Sequence, residues 1–173
     1  LLATVLFCLL RPVLLLSTAV PQRNVVGILI DDSRSMAIAD GDGPSRGEQA
    51  RQIFAGPDSA LLKSLSDRFI VRFFRFSNAA QRGSPGELSF TGGRTLLASA
   101  IDGVSEELGG APLAGLVVVS DGGDNARADE ELPLLDETIA SLRARSVPVY
   151  TVGVGRERIE RDVEISRAAV PRE

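Results

Sequence analysis

The sequence predicts an α/β fold: a doubly wound, mostly parallel sheet flanked by helices. Two short aliphatic runs and their spacing carry that expectation. Asn24-Val-Val-Gly-Ile-Leu-Ile30 and Leu116-Val-Val-Val-Ser120 are brief, rich in β-branched residues and bounded by polar turn residues. That is the pattern of strands buried on both faces of a parallel sheet. Between and after them lie segments with apolar residues every three or four positions. Strands alternating with such helices wind into a sheet with right-handed crossovers.

The chain has 173 residues and a net charge of -4, enough for one α/β domain and a short appendage. With 18 Arg against one Lys but no basic stripe interleaved with aromatics, nothing points to nucleic acid. A single Cys8 cannot form an internal disulfide.

Residues 1–20 are apolar apart from Thr4, the Arg11-Pro12 step and Ser17-Thr18. They read as the end of a transmembrane helix, with Arg11 marking an interface, because a charge at mid-membrane is costly. Pro21-Gln22-Arg23 then breaks into the first strand. Residues 21–160 form the predicted domain. Asp162-Val-Glu-Ile-Ser-Arg167 alternates like a strand, so residues 161–173 read as a linker or the start of a following domain.

Within the domain, Ala39 to Ser45 reads as a solvated turn. Asp40 and Asp42 hint at a calcium loop, but Pro44 and Arg51 stand where its ligands should be. Helices are expected at about 46–54 and 58–65, the second with Leu61, Leu62 and Leu65 inward. Phe69, Val71 and Phe73 alternate against Arg68 and Arg72 and predict a strand over 68–76. An edge strand is expected after Ser84-Pro85-Gly86. Leu97, Ile101, Val104 and Leu108 form one stripe of a helix that Gly109-Gly110 ends. A helix over 133–145, with Pro133 in its first turn, and a strand over 147–152 complete the domain.

The chemistry concentrates where the first run ends. Asp31-Asp32-Ser33-Arg34-Ser35 places two carboxylates and two hydroxyls in five residues. In open α/β sheets ligands bind beyond the carboxyl ends of the strands. Oxygen donors in a chain without His suit a hard cation rather than zinc or copper. The same residue types also favour helix caps. Two later stretches decide between these readings: Thr91-Gly-Gly-Arg-Thr95 ahead of a helix, and Val117-Val-Val-Ser-Asp121-Gly122 ending the second run.

This order, D-x-S-x-S, then Gly-Gly-x-Thr, then strand-Asp-Gly, resembles the metal-ion-dependent adhesion site of von Willebrand factor A domains. The resemblance covers roughly residues 24 to 155. It implies a divalent cation, Mg²⁺ or else Mn²⁺ or Ca²⁺, held by Asp31, Ser33, Ser35, Thr95 and Asp121. It further implies an open coordination position for an acidic side chain of a protein partner, and no catalysis or small-molecule substrate. Asp32 is expected to cap or face solvent, and Asp124 and Asn125 to be turn residues or to support the ligands from behind. Arg34 and Arg94 lie on the two ligand loops, as surface residues or as a collar that attracts an anionic partner.

Other classes fit less well. A phospho-receiver needs an Asp ending a middle strand and a late Lys, but here that strand ends Arg75-Phe76-Ser77-Asn78 and the only Lys is Lys63. A dehalogenase-type phosphatase needs an Asp where Ser33 stands. A serine hydrolase lacks both a His and a G-x-S-x-G turn. Gly153-x-Gly155 is half a dinucleotide fingerprint without a following helix start. The expectation is a membrane-tethered module, on the extracytoplasmic side, that binds a protein through a metal ion. The alternative is a structural assembly factor whose metal only steadies the loops.

Overall fold

The computed structural model describes residues 23–55, 59–126 and 132–155. The expectations for residues 1–20 and 161–173 lie outside the described residues. Among those described, no helix is long and apolar enough to cross a membrane.

Strand β1, Val25–Asp31, is buried at all seven positions and lies at the centre of the sheet. It pairs in parallel with β2, Ile70–Phe76, on one side and with β4, Leu113–Ser120, on the other. Strand β3, Ala80–Arg82, closes the β2 edge antiparallel, and β5, Val149–Gly153, extends the β4 edge in parallel. The order is therefore β3-β2-β1-β4-β5. The fold is α/β, with a mixed but mostly parallel sheet.

Helices cover both faces, and β1 shows it by alternation. Val26, Ile28 and Ile30 face α1, Arg46–Ala55, through Ala50 and Phe54. Leu65 of α2, Ala60–Arg68, packs against the rim of that cluster. Val25 and Leu29 face α3, Leu97–Glu107, and α4, Leu135–Ala144, through Ile101, Val104 and Leu142. Of the predicted stripe, Ile101, Val104 and Leu108 are buried and Leu97 is half-buried against the same cluster. Ser59 caps α2 by accepting the Leu62 N–H at 3.1 Å, which satisfies a donor at the helix start.

Several boundaries differ from expectation. Helix α2 runs on to Arg68, so the next strand begins only at Ile70. The edge strand precedes Ser84-Pro85-Gly86 rather than following it, because Pro85–Glu87 is a 3-10 turn held by a reciprocal Ser84–Glu87 cap. Phe74 and Phe76 are buried in the cluster that contains α3, while Val71 and Phe73 pack on the opposite face, which Arg75 ends.

Candidate metal centre

Strands β1 and β4 are neighbours, and the chain winds outward from them in opposite directions. The crevice beyond their carboxyl ends is thus the topological switch point of the sheet, where open α/β folds bind ligands. Asp31 ends β1 and Ser120 ends β4. Asp31 has no exposed surface. Its Oδ1 accepts the Ser33 N–H at 2.9 Å, and its Oδ2 accepts the Ser120 hydroxyl at 2.8 Å.

After Ser33 the chain turns through a short 3-10 segment, Arg34–Ala37, anchored by the wholly buried Met36. That turn brings Ser35 Oγ to 2.9 Å from Ser33 Oγ. The Ser35 side chain in turn acts on the Asp121 carboxylate and favours its charged form. Asp31, Ser33, Ser35 and Asp121 therefore form one group of side chains at the switch point.

The two carboxylates titrate in opposite senses. Burial pushes Asp31 above its ordinary value, and repulsion from Asp121 adds to this, against hydrogen bonds from Ser33 and Ser120 that lower it. Burial also acts to raise Asp121. The Ser35 side chain and hydrogen bonds from the Gly123 N–H and Arg46, together with the Arg46 charge, overcome it and hold Asp121 below its ordinary value. Arg46 Nη1 lies 2.8 Å from Asp121 Oδ2, while its Nε and Nη2 fork onto Asp40 at 2.9 and 2.7 Å. The Arg46 guanidinium is raised further above its ordinary value, chiefly by the Asp40 hydrogen bond, though burial opposes it. The loop over 39–45 is exposed at Ala39 and from Gly41 to Pro44, as expected of a solvated turn, with Asp40 as the exception. Asp40 is drawn inward as the second partner of Arg46.

Thr95 is buried at the start of α3 on a separate loop. It joins the Asp121 loop through Asn125: Asn125 N–H donates to the Thr95 carbonyl at 2.8 Å, and Asn125 Oδ1 accepts the Thr95 N–H at 3.0 Å. Arg94 donates to the Asn125 carbonyl at 3.1 Å, so this arginine braces the loops, while Arg34 is exposed. Asn125 is thus more than a turn residue.

Asp32 departs most from expectation. It is buried, and its Oδ1 accepts the N–H groups of Ser89 and Phe90 at 2.6 and 2.5 Å, while its Oδ2 accepts the Ser89 hydroxyl at 3.1 Å. Asp32 thereby fastens the segment leading to Thr95 onto the end of β1. Backbone bonds between Asp32 and Gly92, and between Gly92 and Arg34, continue the seam. A Cβ on Gly92 would stand 2.5 Å from Ser77 Cβ, so only glycine permits this approach.

Two carboxylates and two hydroxyls gathered at one strand end form an oxygen donor set that fits a hard divalent cation. Among the described residues no group of three or more His, Cys, Asp or Glu is placed to hold a metal. Coordination here would therefore depend on Ser33 and Ser35 as well as the carboxylates. Sequence reasoning misses Arg46 and Ser120, and sets Asp40 aside as part of a turn. The one signal for Arg46 is a cation at the first position of a helix, where the dipole disfavours it.

No family model matches the sequence, and no curated protein matches it. Among solved structures, the chain is similar to proximal thread matrix protein 1 from the mussel byssus, at 14% identity and a TM-score of 0.53. That alignment covers 76% of this chain but 36% of the mussel chain, and at this identity it speaks to the fold alone. An uncharacterized membrane spanning protein from Vibrio fischeri aligns at 18% identity over 75% of this chain and 71% of its own. Its TM-score of 0.36 is too low to establish a common fold.

Proposed function

We propose that this chain is a von Willebrand factor A-type module that binds a protein partner through a divalent cation and is tethered to a membrane by its apolar residues 1–20. The observation that carries the reading is the gathering of Asp31, the Ser33–Ser35 hydroxyl pair and Asp121 at the switch point. Ser33 and Ser35 would hold the ion directly, with Asp31 and Asp121 beside them and Thr95 on the facing loop. A cation bound mainly by neutral hydroxyls keeps surplus positive charge, so it would offer a replaceable position to a partner's carboxylate. Asp32 and Asn125 would keep the two ligand loops in register. The chain's own groups suit binding rather than catalysis, since the carboxylates are engaged as acceptors and no histidine supplies a general base.

A second reading, a metal that only steadies the loops, draws support from Asp31, which is fully buried with both oxygens bonded. Both readings require metal. Mg²⁺ or Mn²⁺ should raise the melting temperature, since a ligand at a hundredfold excess over its dissociation constant stabilises by about 2.7 kcal/mol. Ser33→Ala should remove the rise. An unchanged melting curve at millimolar metal would sink both readings. Partner capture from a membrane extract that EDTA and Ser33→Ala abolish, with circular dichroism unchanged, selects recognition. Unfolding of the variant selects the structural role.

A further inference from the structure

We infer that Arg46 is a built-in counter-cation that holds Asp121 until a divalent cation displaces it, an inference that rests on the metal site proposed above. Its position needs an explanation that helix formation does not supply. Arg46 is the first residue of α1, where the helix dipole disfavours positive charge. It reaches across to Asp121, 75 positions away in sequence, at 2.8 Å. Its other edge forms a two-pronged pair with Asp40, which fixes the plane of the guanidinium as well as its position.

The surroundings make this cation consequential. The side chains of Arg46, Asp40 and Asp121 are 16%, 13% and 5% exposed, so little water screens them. Asp121 is also the carboxylate that Ser35, partner of the Ser33 hydroxyl at 2.9 Å, acts on. A divalent cation at those hydroxyls would share Asp121 with a guanidinium of the same charge sign. The two compete for one carboxylate, and occupancy of the site weakens the Arg46–Asp121 contact. Asp40 keeps Arg46 when that contact breaks, so the guanidinium turns about Asp40 instead of leaving. Gly155, at φ +114°, packs against this pivot: a Cβ there would stand 3.1 Å from Arg46 Nε. Loading of the metal site is therefore linked to the loop over 39–45 and to the chain leaving β5.

The test is a Mg²⁺ titration by calorimetry on the 173-residue chain in detergent, comparing wild type, Arg46→Gln and Arg46→Lys. The glutamine variant should bind Mg²⁺ at least tenfold more tightly, and the lysine variant, which keeps the charge, within about threefold of wild type. If wild type binds and Arg46→Gln binds equally or more weakly, Arg46 orients Asp121 for the metal and the inference is wrong while the site stands. If none of the three binds Mg²⁺, the site reading falls and takes the inference with it. A wild-type readout removes dependence on the variants' folding. The ¹⁵N–¹H resonance of Arg46 Nε should shift on saturation with Mg²⁺, and a resonance that stays in place overturns the inference.

Discussion

The Ser120 hydroxyl donates to Asp31 Oδ2 at 2.8 Å, so the last residues of two adjacent parallel strands are joined through their side chains. Ser120 Oγ also accepts the Gly122 N–H at 3.1 Å. One hydroxyl therefore satisfies the buried carboxylate of β1 and shapes the turn that carries Asp121. The position of a serine just before that aspartate acquires a physical reason: it supplies a donor to the neighbouring strand and an acceptor to its own turn.

Ser120→Ala tests this pairing. It removes the donor and leaves one oxygen of a buried carboxylate unsatisfied, which costs about 1–3 kcal/mol. Denaturant unfolding in EDTA should show a loss of that size with an unchanged slope. A loss below about 0.5 kcal/mol, the range of ordinary surface substitutions, would mean that the bond contributes little to the fold.

The opposite shifts of Asp31 and Asp121 give stability effects of opposite sign. Asp31 is raised above 3.8, so the folded state holds its proton more tightly than the unfolded chain does. Its contribution is fully present below pH 3.8 and is lost as pH rises through the folded value, which leaves a penalty at neutral pH. Asp121 is lowered below 3.8, so its contribution is present above that value and is lost as pH falls through the folded one. In metal-free protein, Asp31→Asn should raise the melting temperature at pH 7, and the gain should vanish toward pH 3.8. Asp121→Asn should lower it at pH 7, since Arg46 then faces a neutral amide. Melting curves from pH 3 to 8 in EDTA decide the matter, and a destabilising Asp31→Asn at pH 7 would contradict the stated balance.

The parts of the fold governed by local pattern were legible in the sequence. The all-buried β1, the stripe of α3 and the strand ending at Ser120 follow from periodicity, which is fixed by backbone geometry. The resemblance to a metal-ion-dependent adhesion site grouped Asp31, Ser33, Ser35, Thr95 and Asp121, of which Asp31, Ser33 and Ser35 lie together at the end of β1 and Thr95 joins the Asp121 loop through Asn125. The remainder depends on residues far apart in sequence. Nothing local distinguishes Asp32 as a residue that faces Ser89 and Phe90, 57 and 58 positions on, from one that faces water. Arg46 meets Asp121 only because α1 starts beside the carboxyl end of β4. The edge strand was misplaced because a three-residue strand carries too few side chains to show a period.

The last expectation concerns the seam that Asp32 makes. Three donors from Ser89 and Phe90 converge on its carboxylate, and Phe90 adopts φ 53°, a left-handed conformation uncommon for an aromatic residue. Such backbone persists where the surroundings over-determine it. Here Asp32 holds the Phe90 N–H, and the Arg51 guanidinium sits 5.0 Å above the Phe90 ring. Asp32→Ala should release both amides and let Phe90 return to an extended conformation, at a cost of about 2–4 kcal/mol for two orphaned donors and a lost charge-assisted contact. Asp32→Asn keeps one carbonyl oxygen for the two N–H groups and should cost less than half as much. Hydrogen exchange reads the local effect. The Ser89 and Phe90 amides should lose protection in Asp32→Ala well before those of β1, because opening of the segment no longer requires global unfolding. Loss of protection in step across β1 and the 89–92 segment would show instead that Asp32 supports the sheet as a whole, and the assignment of this carboxylate to positioning the Thr95 loop would fail.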